Sequence, residues 1–152
     1  MGQGTGNENH VLKPRHLINK MLKISASENL VLSVLIETFT VHKLSPDALI
    51  PEEILKSNYY NTSKTENELS LVCSEKIEVQ SLESSKGWKC LKVKGPLDFN
   101  LTGILAGISD ILAQANISIF AISTFDTDFI LVRSQDLPSA RNKLKKAGYK
   151  FE

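Results

Sequence analysis

Residues 95–132 read GPLDFNLTGILAGISDILAQANISIFAISTFDTDFILV and contain the signals for a helix followed by a β-hairpin. Gly95-Pro96 ends a preceding strand, and apolar residues then recur at helical spacing between positions 101 and 115. Residues 117–124 and 129–132 alternate or run apolar on either side of a Phe-Asp-Thr-Asp turn. They are therefore predicted to pair as a hairpin.

The segments on both sides of this stretch complete a recognisable order of elements. Residues 88–93, WKCLKV, have the composition of a strand. A second helix is predicted to begin near Leu137 and to stop at Gly148, and residues 149–152 are predicted to form a short final strand. Residues 88–152 thus read β-α-β-β-α-β, the ferredoxin-like order of the α+β class, with one antiparallel sheet and both helices on one face.

The N-terminal half is harder to interpret. Residues 30–44 are rich in β-formers, Pro51 opens a short helix, and residues 68–74 alternate like a half-buried strand. The polar stretch 57–67 is predicted to be a loop, and SSKG at 84–87 a turn. Residues 1–23 are polar and glycine-rich at the start, and they are predicted to be a flexible extension.

Composition excludes several classes of partner. The chain has 152 residues, 41% of them apolar, and a formal net charge of +1, so no global field attracts nucleic acid or an anionic membrane. The longest apolar run falls far short of the roughly 20 residues that span a bilayer. No signal peptide is recognisable at the start of the sequence. A cytoplasmic protein is predicted.

Residues that could carry metal or covalent chemistry are few and badly spaced. Cys73 and Cys90 match no zinc or redox motif, and His10, His16 and His42 show no ligand spacing to each other or to the cysteines. The GQGTG at 2–6 lacks the strand and helix of a phosphate loop. We therefore expect no metal, no cofactor and no enzyme activity.

Three segments carry a resemblance to a known family: GPLDF, then TGILA with Ile108, then ISIFAIST. This pattern resembles ACT domains, and in particular the short two-module ACT proteins related to the CASTOR-type cytosolic arginine sensors, where ELSLVC and GWKCLKV also recur. The resemblance implies a degenerate ACT-like module at 24–86 and an ACT domain at 87–152. It also implies a non-catalytic regulatory protein that binds a free amino acid or related metabolite, forms a homodimer and acts on an unknown protein partner. The alternative is a ligand-free dimerisation or interaction scaffold.

Physical reasoning places a binding site at the start of the first helix of the ACT segment. The turn that includes Asp98 and Asn100 leads into a helix whose first N–H groups lack partners, so it can hold a ligand carboxylate. Gly103 lets a ligand approach the backbone. The hairpin turn at 125–128 supplies carboxylates for an ammonium group.

Matching the ACT motif assigns ligand contacts to five residues of this chain: Thr102, Gly103, Ile104, Phe125 and Asp128. The resemblance also implies an acidic residue where Leu101 stands, which points away from arginine and toward a ligand with an apolar or neutral polar side chain. Structural alternatives stay open for each. Asp98 or Asn100 can simply cap the helix, Asp128 can hydrogen-bond within its own turn, and Phe125 can simply pack.

Overall fold

The computed structural model describes residues 30–98 and 101–152, so the predicted extension at 1–23 lies outside it. Within this part no helix is long and apolar enough to cross a membrane. A single-turn 3-10 helix, Ser134–Asp136, precedes the last α-helix. The remaining elements, in chain order, are β1 Val31–Leu44, α1 Glu52–Leu55, β2 Asn61–Lys64, β3 Leu69–Ser74, β4 Glu83–Val93, α2 Ile104–Gln114, β5 Ile119–Ser123, β6 Asp128–Arg133, α3 Leu137–Lys146 and β7 Lys150–Phe151.

The strands of both halves of the chain form one sheet in the order β2-β3-β1-β4-β6-β5. All neighbours in this order are antiparallel, whereas β7 pairs with the start of β1 in parallel, with Val31 opposite Lys150 and Leu32 opposite Phe151. The prediction of purely antiparallel sheets was therefore wrong for β7. The first residues of β1 pair with the end of β4 on one side and with β7 on the other, so β1 runs between them.

Helices α2 and α3 cover one face of the sheet. Ile108 and Leu112 of α2 and Leu144 of α3 are fully buried against Leu91 and Ile130 of the sheet. The helical spacing of Ile104, Ile108 and Leu112 was predicted from sequence and is confirmed. Their burial stabilises this half, because each Å² of apolar surface removed from water contributes about 25 cal/mol.

Helix α1 lies on the same face as α2 and α3. Phe39 of β1 and Val72 of β3 belong to the cluster on the opposite face. Because successive side chains of a strand alternate between faces, Leu44 and Leu71 point to the other side, where they pack against Ile54 of α1. The three described helices therefore share one face of a single sheet.

The opposite face is closed by an aromatic cluster. The Tyr59 ring, from the segment that follows α1, lies 5.4 Å from the Phe39 ring and 4.7 Å from the Phe129 ring, centroid to centroid. Trp88 is also buried on this face, with the Arg133 guanidinium 4.0 Å from the centre of its ring. Tyr59 reaches from the β2 side of the sheet to β6, so it links strands from both halves of the chain.

Three local predictions were wrong. Residues 61–64 are polar and were predicted to be a loop, yet they form the edge strand β2 against β3. Residues 84–87 continue β4 instead of forming a turn, and the register slips there beside Gly87, which has a φ of 78°. Leu101 matches the apolar helical spacing, but it precedes α2 and is 56% exposed.

His42 is a buried titratable side chain of β1. Its Nδ1 lies 3.2 Å from Oγ of Ser81, and its Nε2 has no hydrogen-bond partner within residues 30–98 and 101–152. Burial, and then the positive charge of Lys86, lower the pKa of the His42 imidazole below its ordinary 6.5. The folded chain therefore resists protonation at this position.

We expect the chain to lose stability as the pH falls below about 6.5. The unfolded chain binds a proton at His42 near this pH, whereas the folded chain binds it only at the lowered pKa. The contribution of His42 is therefore complete above 6.5 and is lost as the pH falls toward the lowered pKa. Urea unfolding at about pH 7.5 and about pH 5.5 measures the effect. The His42→Asn variant should depend less on pH, and an unchanged dependence would contradict the assignment.

Candidate functional site

A cavity of about 330 Å³ opens between the start of α2 and the turn that joins β5 to β6. The connection from β4 to α2 forms its floor, with Leu97 and Asp98, and the first residues of α2 form one wall. The hairpin turn forms the opposite wall. The described lining residues are Leu97, Asp98, Leu101, Gly103, Ile104, Leu105, Ala106 and all six residues of 123–128.

The structure brings together five of the seven residues that the sequence assigned to a site. Asp98, Gly103, Ile104, Phe125 and Asp128 line the cavity. Thr102 is exposed and is not among the lining residues, and Asn100 lies outside the described residues. A role for these seven residues in binding stays a prediction, but most of them surround one space.

Helix α2 begins with its backbone donors directed at this space. Gly103 occupies the N-cap position with a φ of 80°, and no described side chain hydrogen-bonds there as a cap. The first bond of the helical ladder runs from Gly107 N–H to the Gly103 carbonyl, at 2.9 Å. Residues 104–106 therefore precede the ladder, and all three line the cavity. The positive end of the helix dipole adds to their attraction for an anion.

The hairpin turn is held by hydrogen bonds between its two threonines. Thr124 N–H and Thr124 Oγ1 both donate to the Thr127 carbonyl at 2.9 Å, and Thr127 N–H donates to Thr124 Oγ1 at 3.3 Å. Phe125 and Asp126 therefore form a two-residue tip, and Phe125 is 79% exposed. The turn is ordered by its own polar groups, which leaves the tip directed outward.

Asp128 lies at the base of this turn, and its carboxylate is positioned from within the hairpin. Ser123 Oγ donates a hydrogen bond to Oδ1 of Asp128 across the strand pair. This contact supports the structural interpretation of Asp128 as well as the functional one. A carboxylate that is held by a neighbouring hydroxyl is also pre-oriented for a cationic group in the cavity.

The floor and the turn wall are joined to each other. Leu97 N–H donates to the Asp126 carbonyl at 2.7 Å, and Thr127 Oγ1 donates to the Val93 carbonyl. These contacts form a seam between the end of β4 and the hairpin turn. Gly95 lies in this seam, where an added Cβ would stand 2.7 Å from the Asp126 carbonyl oxygen. Sequence reasoning missed this seam, because only the strand register places the turn beside the end of β4.

The charged side chains among the described residues that line the cavity are all acidic. Asp98, Asp126 and Asp128 line it, and no lysine, arginine or histidine is among the described lining residues. Three carboxylates favour a cationic group on the ligand and oppose a ligand of net negative charge. The start of α2 carries the positive end of the helix dipole, so it is suited to a single carboxylate of a zwitterion.

Metal or thiol chemistry finds no support in the part of the chain that is described. Residues 30–98 and 101–152 contain no group of three or more side chains that could hold a metal ion. Cys73 and Cys90 are both buried, and burial raises their thiol pKa values to about 11 and about 12. Both thiols are protonated at neutral pH and are poor nucleophiles.

Comparison with known protein families agrees with this fold. The ACT domain family model matches residues 83–146, and a second model, for an N-terminal domain, matches residues 37–78. The helix, the hairpin and the cavity all lie in the segment that the ACT model covers. The chain belongs to the ACT-domain family.

Individual relatives point the same way. The chain is 31% identical to CASTOR3P from Homo sapiens in an alignment of length 121 that covers 68% of this chain and 74% of that protein. Among solved structures, Atu0741 from Agobacterium tumefaciens has a TM-score of 0.74 and 33% identity, with 81% of this chain and 92% of that chain covered. The aspartate kinase of Clostridium acetobutylicum has a TM-score of 0.60 and 16% identity over 77% of this chain and 34% of that enzyme, which shows a shared fold.

Proposed function

We propose that this chain is a non-catalytic regulatory protein that binds a free amino acid in the cavity between α2 and the β5–β6 turn. One observation carries the proposal: the start of α2, where no described side chain caps the helix, and the Asp128 carboxylate border the same 330 Å³ space. A backbone anion site and a carboxylate on opposite walls complement the two charges of an α-amino acid. No enzymatic step is assigned to the protein.

The two charged groups of the ligand would be held separately. Its carboxylate accepts hydrogen bonds from the N–H groups of residues 104–106, and its ammonium group binds the Asp128 carboxylate. The ligand side chain then lies along Leu97, Leu101 and Phe125. In this arrangement Gly103 and Ile104 shape the anion site, and Asp98 adds negative charge near the ammonium group.

The lining also restricts which amino acid fits. Three carboxylates without a lining base disfavour aspartate and glutamate as ligands. Leu101 and Leu97 give the side-chain region an apolar wall, which favours an apolar or neutral polar amino acid. Arginine is the informative comparison, because the negative cavity attracts its charge whereas the apolar wall offers that charge no partner.

We propose that the chain contains two ACT-like modules, at 24–86 and 87–152, which share strands. Separate family models match the two halves of the chain. The four strands β2-β3-β1-β4 stand together with α1, and β4 continues into the second half, where it pairs with β6. The first module is small, and we expect it to depend on the second for stability.

Ligand binding would be communicated to a protein partner at the rim of the cavity. Leu101 and Phe125 are 56% and 79% exposed at that rim, next to the anion site and the hairpin turn. A ligand that contacts both changes the rim that a protein partner meets, so occupancy alters the affinity for that partner. A homodimer is part of the proposal. A cytoplasmic location stays a prediction from the sequence.

Thermal unfolding of the 152-residue chain with each of the twenty amino acids tests the proposal. A ligand at about 100 times its dissociation constant stabilises the folded state by about 2.7 kcal/mol. We expect a selective rise with one neutral amino acid or a small related group of them, and no rise with aspartate or glutamate. If no amino acid, arginine included, shifts the transition, the alternative of a ligand-free interaction scaffold takes its place.

Two glycines of similar conformation provide a matched control. Gly103 and Gly87 have φ values of 80° and 78°, and an added Cβ meets no atom within 4 Å at either position. Gly103→Ala and Gly87→Ala should each lose about 1 kcal/mol of stability from backbone strain. Only Gly103→Ala should also weaken binding of the amino acid found in the panel, measured by calorimetry. Equal affinities in the two variants would remove Gly103 from the site.

A further inference from the structure

Charge is divided unevenly between two segments of the chain. Residues 37–86 contain nine acidic and five basic side chains, whereas residues 87–152 contain six acidic and nine basic ones. The near-zero net charge of the whole chain conceals this separation. A molecule with oppositely charged ends attracts other copies of itself at low ionic strength.

The basic end is concentrated on α3 and the residues that follow it. Four cations of α3, from Arg141 to Lys146, are exposed, and residues 137–151 contain no acidic side chain. Arg141 and Lys145 lie over the Phe151 ring, 5.1 and 5.8 Å from its centre. Lys143 and Lys146 form no ion pair within the described residues.

The acidic half contains a depression of about 580 Å³ beside α1. Glu37, Glu52 and Glu53 line it, together with Lys56 and Lys76. Lys56 is engaged by Glu52 at 2.7 Å, while Glu37, Glu53 and Lys76 have no ion pair within 30–98 and 101–152, so acidic groups outnumber basic ones among the unpaired side chains. Exposed apolar side chains, Ile36 at 94% and Leu55 at 51%, neighbour these glutamates in sequence.

The depression has a topological origin. The connection from β3 to β4 contains no helix, whereas the corresponding connection from β6 to β7 contains α3. Ser74 and Ile77, at the start of that connection, therefore line an open space. The first half lacks a helix at the position where the second half has its basic one.

Helix α1 and helix α3 lie on the same face of the sheet, near opposite ends of β1, because Ile54 packs with Leu44 and Leu144 packs in the cluster of Leu32. A two-fold axis that lies parallel to this face and crosses β1 would turn the helix-bearing faces of two copies toward each other and would place α3 of each copy opposite the depression of the other. Both contacts then form at once, and the assembly closes as a dimer rather than growing into a filament. Each contact joins lysines to glutamates that form no ion pair in the described part of the chain.

We propose that the homodimer forms by this exchange, with the outer face of α3 from one copy seated on the Glu37 and Glu53 depression of a second copy. The inference rests on the proposed function only for the existence of the dimer. Exposed ion pairs contribute little individually, so the association is weak, and it is sensitive to salt because its main attraction is electrostatic. The cavity at the start of α2 stays free to bind its ligand.

Sedimentation of charge-reversal variants of the full chain tests the interface. The Lys143→Glu/Lys146→Glu and the Glu37→Lys/Glu53→Lys double variants should each dimerise at least about tenfold more weakly than the unmodified chain at low ionic strength. An equimolar mixture of the two variants should restore dimers, because both contacts of a mixed pair join opposite charges, whereas both contacts within either variant join like charges. The Glu66→Lys/Glu68→Lys variant changes charge outside the depression and should dimerise normally.

Salt provides the second measurement. The dimer should dissociate in about 1 M salt, where the Debye length is roughly 3 Å. A chain that is monomeric at low salt, a dimer that survives about 1 M salt, or double variants that dimerise as well as the unmodified chain would each overturn the interface. Amino-acid stabilisation is measured separately on the same variants. If no amino acid stabilises the unmodified chain, the proposed function is wrong. If the amino acid stabilises the chain but no dimer forms, only this interface is wrong.

Discussion

Replacing Gly95 with alanine is expected to destabilise the chain by about 3 kcal/mol and to abolish amino-acid binding. The added Cβ would stand 2.7 Å from the Asp126 carbonyl oxygen and 3.1 Å from Cβ of Thr127. Both neighbours are held in place, because that carbonyl accepts the Leu97 N–H bond and Thr127 Oγ1 bonds the Val93 carbonyl. The clash must therefore move the hairpin turn away from the floor of the cavity.

Urea unfolding and calorimetric binding together check this result. Gly87→Ala is the control, since it adds backbone strain at open space and should cost only about 1 kcal/mol without an effect on binding. A Gly95→Ala chain that unfolds with unchanged stability would show that the seam can separate freely. In that case the seam would not position the turn, and the site would not be preformed.

Replacing Asp128 with asparagine is expected to weaken amino-acid binding by about 100-fold while the fold is retained. The side chain keeps its size and an oxygen for the Ser123 hydroxyl, but it loses the charge that pairs with the ligand ammonium. Truncating one partner of a desolvated charge pair costs a few kcal/mol, which corresponds to this factor. Loss of the charge-assisted bond within the hairpin should lower stability by only about 1 kcal/mol.

Two further aspartates identify which carboxylate holds the ligand. Asp126 also lines the cavity, but it stands at the tip of the turn, and Asp126→Asn should weaken binding much less than Asp128→Asn. Asp47 is 94% exposed, forms a 3.7 Å ion pair with Lys64 and is absent from the cavity lining, so Asp47→Asn should bind normally. Calorimetric titration of the three variants with the amino acid found in the panel measures the difference. A stronger effect of Asp126→Asn would reassign the ammonium contact to the tip.

The sequence predicted the local elements of the ACT segment because their signals are local. Helix α2 follows from the spacing of Ile104, Ile108 and Leu112, and the β5–β6 hairpin from two apolar runs around a polar turn. Leu101 shares the spacing of α2 but is excluded from the helix by Gly103, whose left-handed backbone sets the first residue. Periodicity alone does not contain that information.

Pairing between distant strands could not be predicted in the same way. Strand β2 has almost no apolar side chains and exists because β3 offers it a ladder of hydrogen bonds. The parallel pairing of β7 with β1 joins residues more than one hundred positions apart. Such contacts depend on which neighbours remain available once the core has formed.

The candidate site was likewise predicted only in part. The start of the helix and the hairpin carboxylate followed from backbone chemistry and the family pattern, whereas Leu97, Ser123 and Thr127 were not assigned to it. These three residues belong to the seam and the hairpin base, which only the register of β4, β5 and β6 brings to the cavity. The predicted hairpin could have indicated Ser123, because the pairing of its two strands places Ser123 directly opposite Asp128.

The position of β1 between β4 and β7 has a consequence for how the molecule unfolds. β1 pairs with β3, β4 and β7, and β4 pairs on both sides, so neither half keeps its sheet if the other half melts. A calorimetric scan should therefore show one transition rather than two. Amino acid bound beside α2 should also slow amide hydrogen exchange in β3, far from the cavity, because opening any strand of this sheet costs the global free energy of unfolding.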